Sequence, residues 1–198
     1  MNRINGQIIL ASASPRRKEL LHQVGLSPDI IPSQREEKII SRDPEQTVKE
    51  LSRQKAEDVA ALCTDRKDMS VVIGADTVVA VDGRILGKPG SEKEALEMLE
   101  LLQGREHQVY TGVTMIFVHS GEQITFAERT NVHVCAMNQE QRKAYVATGE
   151  PMDKAGAYGI QGYFAVYIKG IEGDYNNVVG MPVGRVCREL MARGWKLF

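Results

Sequence analysis

Short apolar runs alternate with amphipathic segments along the chain, and this alternation predicts an α/β fold of mixed type. Residues 8–11 predict a buried strand, and residues 71–75 predict a central strand that ends near Asp76. Asp82-Gly83 between two apolar runs predicts a two-residue hairpin turn. Alternation over residues 108–118, a turn at Ser120-Gly121 and further alternation to Val134 predict two long antiparallel strands. Alternation also predicts a strand over residues 163–169.

Helices are predicted where a polar cap precedes an amphipathic stretch. Ser14 followed by Pro15 is typical of a helix start, and this first helix is expected to run to Gly25. Residues 43–46 predict a second start, with Asp43 as cap and Gln46 as its reciprocal partner. The second helix is expected to bury its apolar positions, which are Val48, Leu51, Ala56, Val59 and Leu62. Further helices are predicted over 91–102 and 138–148 and between Pro182 and Gly194.

Composition narrows the class of protein. The 198 residues suit one domain over 1–198, with 42% hydrophobic and 26% charged residues as in globular proteins. A net charge of −1 gives no global field for nucleic acid or an anionic membrane. The apolar runs 8–11 and 71–81 are too short for a signal peptide and a membrane span, respectively. Three cysteines without metal-binding spacing indicate reduced thiols in a cytoplasm.

The segment SASPRRK at residues 12–18 combines two hydroxyls and three cations at a predicted helix start. Free backbone N–H groups and the helix dipole attract phosphate there, and guanidinium groups bind its oxygens in pairs. This pattern predicts an anion site. The alternative is an ordinary capped helix with solvated basic side chains.

Carboxylates point to a second site. Asp76, in GADT at residues 74–77, is flanked by apolar residues, so we expect it to face a cleft that holds cations or a divalent ion. The alternative is that Asp76 caps a turn. Glu36 and Glu37 could supply another carboxylate to magnesium, or could belong to a solvated loop. Lys88 lies in a constrained turn, Gly87-Lys88-Pro89.

A glycine-rich segment, DKAGAYGIQG at residues 153–162, predicts close backbone approach to a ligand. Its alternative role is a flexible connection. Gln161 stands between Ile160 and Gly162, and its amide can both donate and accept a hydrogen bond, as reading a nucleobase edge requires.

In combination, these motifs resemble the Maf family of nucleoside triphosphate pyrophosphatases over nearly the whole chain. The match lies in five segments that occur in order: SASPRRKELL, GADT, GKP, DKAGAYGIQG and VGMP. The resemblance implies an elongated central mixed sheet flanked by helices, with two lobes around a cleft, similar to inosine triphosphate pyrophosphatases. It also implies cytoplasmic, commonly homodimeric enzymes that need a divalent cation, Mg²⁺ or Mn²⁺.

The family reaction is cleavage of the α–β phosphoanhydride to a nucleoside monophosphate and pyrophosphate. By resemblance, Asp76 is the proton acceptor, and Arg17, Thr77 and Gln161 are specificity positions. Positions lining the phosphate and metal site are Ser12, Arg16, Glu37, Lys55 and Lys88. The Thr77 and Gln161 pattern is similar to the branch that acts on dTTP and UTP rather than on 7-methyl-GTP.

Two kinds of question stay open at this point. Asp76 is a general base, a metal ligand or both, since a bound metal can bring the pKa of its water toward neutrality. Two non-enzymatic functions also remain, a nucleotide-binding regulator linked to septum formation and a nucleic-acid module. An acid amid phosphate-binding cations disfavours the regulator, and the few aromatic residues disfavour the nucleic-acid module.

Overall fold

The computed structural model describes residues 6–38, 40–63 and 70–197, and within them one mixed sheet of seven strands is flanked by helices. The strands are β1 (Ile8–Leu10), β2 (Asp29–Ile30), β3 (Val71–Val81), β4 (Arg84–Leu86), β5 (Glu106–Phe117), β6 (Glu122–Val134) and β7 (Ile168–Glu172). The helices are α1 (Pro15–Gln23), α2 (Pro44–Ala61), α3 (Glu92–Leu102), α4 (Gln139–Val146), α5 (Tyr175–Val179) and α6 (Val183–Ala192). This architecture confirms the predicted fold class.

Strand β3 is the axis of the sheet, whose order is β2-β1-β3-β5-β6-β7. One edge of β3 pairs antiparallel with β5 over residues 71–80. The other edge pairs with β1 in parallel at residues 71–73 and with β4 antiparallel at residues 79–81. The sheet therefore divides on that side around Asp76. The prediction that Asp76 lies near a strand end is wrong: it lies in the middle of the 11-residue β3, because the apolar residues 78–81 continue the strand to the hairpin.

Two hydrophobic clusters form the cores of the two lobes. One surrounds the beginning of β3 and packs it against α1 and α6, with Leu21, Ile73 and Met181 buried. The other surrounds the end of β3 and packs it against α3 and α4, with Leu99 and Phe164 buried. The division of the sheet lies between these cores, so it becomes a cleft.

Helix α2 crosses the face of the sheet that is opposite to these two cores, and its backbone lies in close contact with the strands. A Cβ added at Gly74 would lie 2.7 Å from the Ala56 backbone nitrogen, and one added at Gly112 would lie 2.8 Å from that of Lys49. Only glycine therefore permits this approach. The buried hydroxyls of Ser52 and Thr114 also lie 3.0 Å apart, which joins α2 to β5. This packing fixes the helix that carries Lys55.

Most helices and strands begin and end near the positions that the local sequence predicted. The Asp43 carboxylate accepts the Gln46 N–H at 2.8 Å, as predicted for a cap. The reciprocal bond from Gln46 is replaced, because the Asp43 N–H donates to Ser41 Oγ at 3.0 Å. At α1, Ser14 occupies the cap position as predicted, but its side chain makes no capping hydrogen bond, and its own N–H donates to Ser12 Oγ at 3.2 Å.

Two predictions fail where tertiary packing decides. Residues 163–167 form a 3₁₀ helix rather than the first part of a strand, and β7 begins only at Ile168. Phe164 and Tyr167, three residues apart, share one face of that helix and pack with ring centroids 5.6 Å apart. Leu62, expected to be buried, is 72% exposed because α2 ends before it.

No helix within the described residues combines the length and apolar character needed to cross a bilayer.

Candidate active site

The division of the sheet opens into a cleft of about 1020 Å³ between the two lobes. The nine residues that the family resemblance assigned to the site all line this cleft: Ser12, Arg16, Arg17, Glu37, Lys55, Asp76, Thr77, Lys88 and Gln161. Glu36, the neighbour of Glu37, is exposed and lies outside the lining, as a solvated loop residue would. The structure thus brings together residues that are up to about 150 positions apart in the chain.

Arg17 joins three segments at the floor of the cleft. Its Nε donates to the Gly180 carbonyl at 2.8 Å, and its two terminal nitrogens donate to Ser12 Oγ at 3.0 Å and Thr77 Oγ1 at 3.1 Å. Burial lowers the pKa of Arg17, and the nearby Asp76 carboxylate opposes this shift. A guanidinium has five N–H donors, so Arg17 retains donors for a ligand after making these three bonds.

Lys55 lies between the two carboxylates that were predicted to bind metal. Its Nζ is 2.5 Å from Asp76 Oδ1 and 2.9 Å from Glu37 Oε1. The Lys55 and Asp76 side chains are 16% and 13% exposed, whereas Glu37 is 49% exposed at the cleft rim. Two carboxylates therefore converge on one cation in the cleft.

A divalent metal fits these residues only as an ion that the substrate helps to bind. Among the described residues, no group of three or more His, Cys, Asp or Glu side chains could hold a metal. Glu37 and Asp76 are nevertheless close enough to share one cation. Magnesium typically binds one or two carboxylates, several waters and substrate phosphates, so two carboxylates suffice as the protein's share.

Thr77 connects the cleft floor to a buried polar chain. Its hydroxyl lies 2.9 Å from Thr111 Oγ1, and the Thr111 hydroxyl donates to the Asn177 carbonyl at 2.9 Å. Sequence reasoning missed Thr111 because it lies on β5, paired with Thr77 across the sheet. Its only signal in the sequence was the alternation of apolar and polar residues along β5.

The cleft mouth is spanned by an ion pair between the lobes. Arg16 Nη1 donates to Asp153 Oδ2 at 3.0 Å, and Lys154 Nζ donates to Asp153 Oδ1 at 2.6 Å. Burial would raise the pKa of Asp153, but the hydrogen bonds from Lys154 and Arg16 outweigh it and lower this pKa to about 2. The Asp153 carboxylate is therefore charged at neutral pH and holds Arg16 at the start of α1.

The glycine-rich segment forms the opposite wall. The Gly156 N–H donates to the Gly87 carbonyl at 3.0 Å, which ties this wall to the turn that carries Lys88. Gly156 has a φ of +67°, and a Cβ there would meet Val79 at 2.8 Å. Lys88 and Gln161 are both exposed at the cleft surface. The segment is thus a positioned wall, not a flexible connection.

Several further cleft residues were not singled out as site residues from the sequence. Ser33, Ser41, Arg42, Asp153 and Tyr158 also line the cleft. Ser33 to Arg42 is a polar stretch before α2, and its only signal was that polarity. Tyr158 lies within the glycine-rich motif, but its ring is 5% exposed and its hydroxyl lies 2.8 Å from His107 Nε2.

The buried His107 imidazole is expected to make the stability of the fold depend on pH. Burial, with a smaller contribution from the His133 charge, lowers the pKa of His107 from 6.5 to about 4. Because the unfolded chain takes up this proton more readily, folding stability falls as the pH drops from 6.5 to 4, by about 3 kcal/mol. Thermal unfolding should therefore show a larger loss of Tm between pH 7 and pH 5 for the parent than for His107→Gln.

The matched control for that experiment is His119→Gln, which removes an exposed imidazole. We expect His119→Gln to keep the parent's pH dependence. Equal acid sensitivity in the parent and His107→Gln would contradict the assignment to His107.

The sequence is similar to those of known proteins. The family described as Maf-like protein matches residues 7–193. A dTTP/UTP pyrophosphatase of Agathobacter rectalis is 50% identical over 95% of this chain and 98% of its own. A dTTP/UTP pyrophosphatase of Carboxydothermus hydrogenoformans is 49% identical over 96% of this chain and 100% of its own.

Two solved structures are also similar. A nucleoside-triphosphatase (dITP/XTP pyrophosphatase) of Mycobacterium abscessus aligns with a TM-score of 0.44 and 14% identity, covering 94% of this chain and 95% of that one. The Ham1 protein of Staphylococcus aureus aligns with a TM-score of 0.45 and 16% identity, covering 65% and 71%. The family match over residues 7–193 and the relatives near 50% identity carry the assignment. The chain belongs to the Maf-like protein family.

Proposed function

We propose that this chain hydrolyses the α–β phosphoanhydride of dTTP and UTP, yielding the nucleoside monophosphate and pyrophosphate. One observation carries the proposal: the Asp76 carboxylate lies in the same cleft as Arg16, Arg17, Lys55 and Lys88. An acid surrounded by phosphate-binding cations suits hydrolysis, whereas a protein that only binds nucleotide has no need of the acid. The names of the relatives that are about 50% identical support dTTP and UTP as substrates.

The triphosphate would occupy the side of the cleft formed by the start of α1. Backbone N–H groups of the first helical turn and the Ser12 hydroxyl would donate to phosphate oxygens. Arg16 and Arg17 would bind the phosphates through N–H groups that their present contacts leave over. Lys88 on the opposite wall would approach the departing pyrophosphate, where negative charge grows during cleavage.

Asp76 is the group that would orient and deprotonate the attacking water. Lys55 holds one of its oxygens at 2.5 Å, which fixes the carboxylate in the cleft. The other oxygen can accept a proton from a water aligned with the α-phosphorus. Glu37 and Asp76 would hold Mg²⁺ or Mn²⁺, whose chemistry is to neutralise phosphate charge and acidify a bound water.

Gln161 would read the base. The imide edge of thymine or uracil presents an acceptor, a donor and an acceptor, and a primary amide can pair with two of these groups. Cytosine replaces the N3–H donor by an acceptor and one carbonyl by an amine. The same amide would then leave polar groups mismatched, which typically lowers kcat/KM by about one to a few orders of magnitude.

A panel of nucleoside triphosphates with Mg²⁺ or Mn²⁺ tests the proposal through pyrophosphate release. We expect dTTP and UTP to exceed CTP and GTP by at least about tenfold in kcat/KM. Gln161→Glu should reduce this preference more than it reduces overall turnover. An unchanged ratio of dTTP to CTP hydrolysis in Gln161→Glu would exclude Gln161 as the base reader.

The same panel separates the proposal from its alternatives. Binding of nucleotide without pyrophosphate release would indicate a regulator, and salt-dependent oligonucleotide binding would indicate a nucleic-acid module. We also propose that the chain is one domain. We further propose a cytoplasmic location, because the thiols of Cys63, Cys135 and Cys187 are free. The homodimer implied by the family resemblance stays a prediction, for which the sedimentation coefficient is the measurement.

A further inference from the structure

The backbone that carries Gln161 is a tight turn. The Gly162 N–H donates to the Gly159 carbonyl at 3.3 Å, so Ile160 and Gln161 are the two central residues of a four-residue turn. Ile160 packs against both hydrophobic cores, whereas Gln161 is exposed at the cleft. The placement of the Gln161 amide therefore depends on what holds the ends of this turn.

Both ends are held by one pair of side chains, Tyr145 of α4 and Glu150. Before the turn, the Gly159 N–H donates to the Tyr145 hydroxyl at 3.3 Å. After the turn, the Tyr163 N–H donates to Glu150 Oε2 at 2.8 Å. The pair is itself joined, because the Tyr145 hydroxyl donates to Glu150 Oε1 at 2.8 Å. Neither side chain lines the cleft.

The Tyr145 and Glu150 side chains are closely packed against the turn. A Cβ at Gly159 would lie 3.4 Å from Glu150 Oε1, and one at Gly162 would overlap the same carboxylate, so the carboxylate lies directly against the turn. Tyr145 is only 4% exposed and packs on Phe164 with ring centroids 5.0 Å apart. Burial, followed by the hydrogen bond to Glu150, raises the pKa of Tyr145, so its hydroxyl keeps its proton and stays a donor.

We propose that Tyr145 and Glu150 are positioning residues that fix the Gly159–Gly162 turn and thereby set the discrimination among nucleobases by Gln161. The inference rests on the proposed function for the role of Gln161, but its contacts stand independently. A base edge is read within a few tenths of an ångström, so a loosened turn weakens the correct base most and the mismatched base least. The pair acts on specificity without touching the substrate.

Tyr145→Phe is the main test because it removes one oxygen and keeps the buried ring. We expect the KM for dTTP and UTP to rise about tenfold, the usual effect of losing a hydrogen bond to a charged group. The kcat should change by less than about threefold, since Asp76 and Lys55 lie on the other wall. CTP hydrolysis should hardly change, so the ratio of dTTP to CTP hydrolysis falls about tenfold.

Two further variants control the measurement. Tyr167→Phe makes the same chemical change in the same aromatic cluster, at a tyrosine that makes neither of the two side-chain bonds to the ends of the turn, and it should keep the parent's ratio. Glu150→Gln keeps one acceptor oxygen for two donors, so it should lower the ratio by an intermediate factor. If Tyr145→Phe fails to fold, Glu150→Gln carries the test by itself.

The outcomes separate this inference from the proposed function. A uniform loss of activity on all triphosphates, with the ratio unchanged in both variants, would mean a purely structural role and overturn the inference. A parent that is active but does not distinguish bases would also overturn it. A parent that releases no pyrophosphate would overturn the proposed function, and amide hydrogen exchange would then decide the inference. Faster exchange at Gly159 and Tyr163 in Tyr145→Phe than in Tyr167→Phe supports the positioning role, and equal exchange refutes it.

Discussion

Asp76→Asn is expected to lower kcat by roughly two orders of magnitude or more, the usual effect of removing a general base. The amide has the size of the carboxylate but cannot accept the proton of the attacking water. Its oxygen can still accept a hydrogen bond from the Lys55 ammonium, which lies 2.5 Å from Asp76 Oδ1, but the ion pair is lost. The fold should persist because the β3 backbone keeps its pairing with β5.

Steady-state pyrophosphate release measures the effect of Asp76→Asn on turnover, and the affinity for a non-hydrolysable dTTP analogue measures its effect on nucleotide binding. We expect the affinity to stay within about tenfold of the parent, because Arg16, Arg17 and Lys88 still face the phosphates. Asp82→Asn is the matched control, since it makes the same change at an exposed carboxylate in the hairpin turn after β3. Near-normal kcat in Asp76→Asn would remove Asp76 from the chemistry.

Arg17→Ala is expected to lower kcat/KM for dTTP by about 30-fold or more, as for the loss of a charged hydrogen bond of about 2 kcal/mol. Part of the loss is direct, because the guanidinium and the start of α1 bind the phosphates together. The rest is indirect, because Arg17 holds Ser12, Thr77 and the Gly180 carbonyl in one arrangement. Arg17→Lys should restore little, since one ammonium cannot reproduce three planar bonds.

Lys18→Ala is the control for Arg17→Ala because Lys18 is the next residue of α1 and is exposed outside the cleft lining. Thermal unfolding of each variant shows how much of the loss comes from stability. An unchanged kcat/KM in Arg17→Ala would favour the simpler alternative, a capped helix with solvated basic residues.

The features that the sequence predicted well are those decided within a few residues. Ser91 caps α3 by accepting the Glu94 N–H, and Asp82-Gly83 turns the hairpin with both residues at positive φ. The alternation of residues 108–134 gave β5 and β6 in antiparallel register. Each of these signals is complete in the local chain, because the donor and acceptor, or the two faces of the strand, are neighbours in sequence.

The predictions that failed concern segments whose partners are distant. Residues 163–169 alternate like a strand, but Phe164 has the Tyr145 and Tyr158 rings to pack against, and it turns the chain into a 3₁₀ helix. Burial of Leu62 was predicted from helical spacing, yet α2 ends at Ala61. In the first case the local pattern allowed two conformations and the packing partners selected one, whereas in the second the helix ended before Leu62.

The sequence by itself determined the fold class, most element boundaries and nine of the residues that line the cleft, because motif chemistry and periodicity are local properties. Only the tertiary structure decided how those residues are connected. Arg17 bonds to Gly180 across 163 positions, and Arg16 pairs with Asp153 across 137. The sequence offers many possible partners at such separations, and hydrophobic packing of the two lobes brings one of them within reach. The contacts of Lys55 with Glu37 and Asp76, and those of Tyr145 and Glu150 with the Gln161 turn, therefore became visible only in the folded chain.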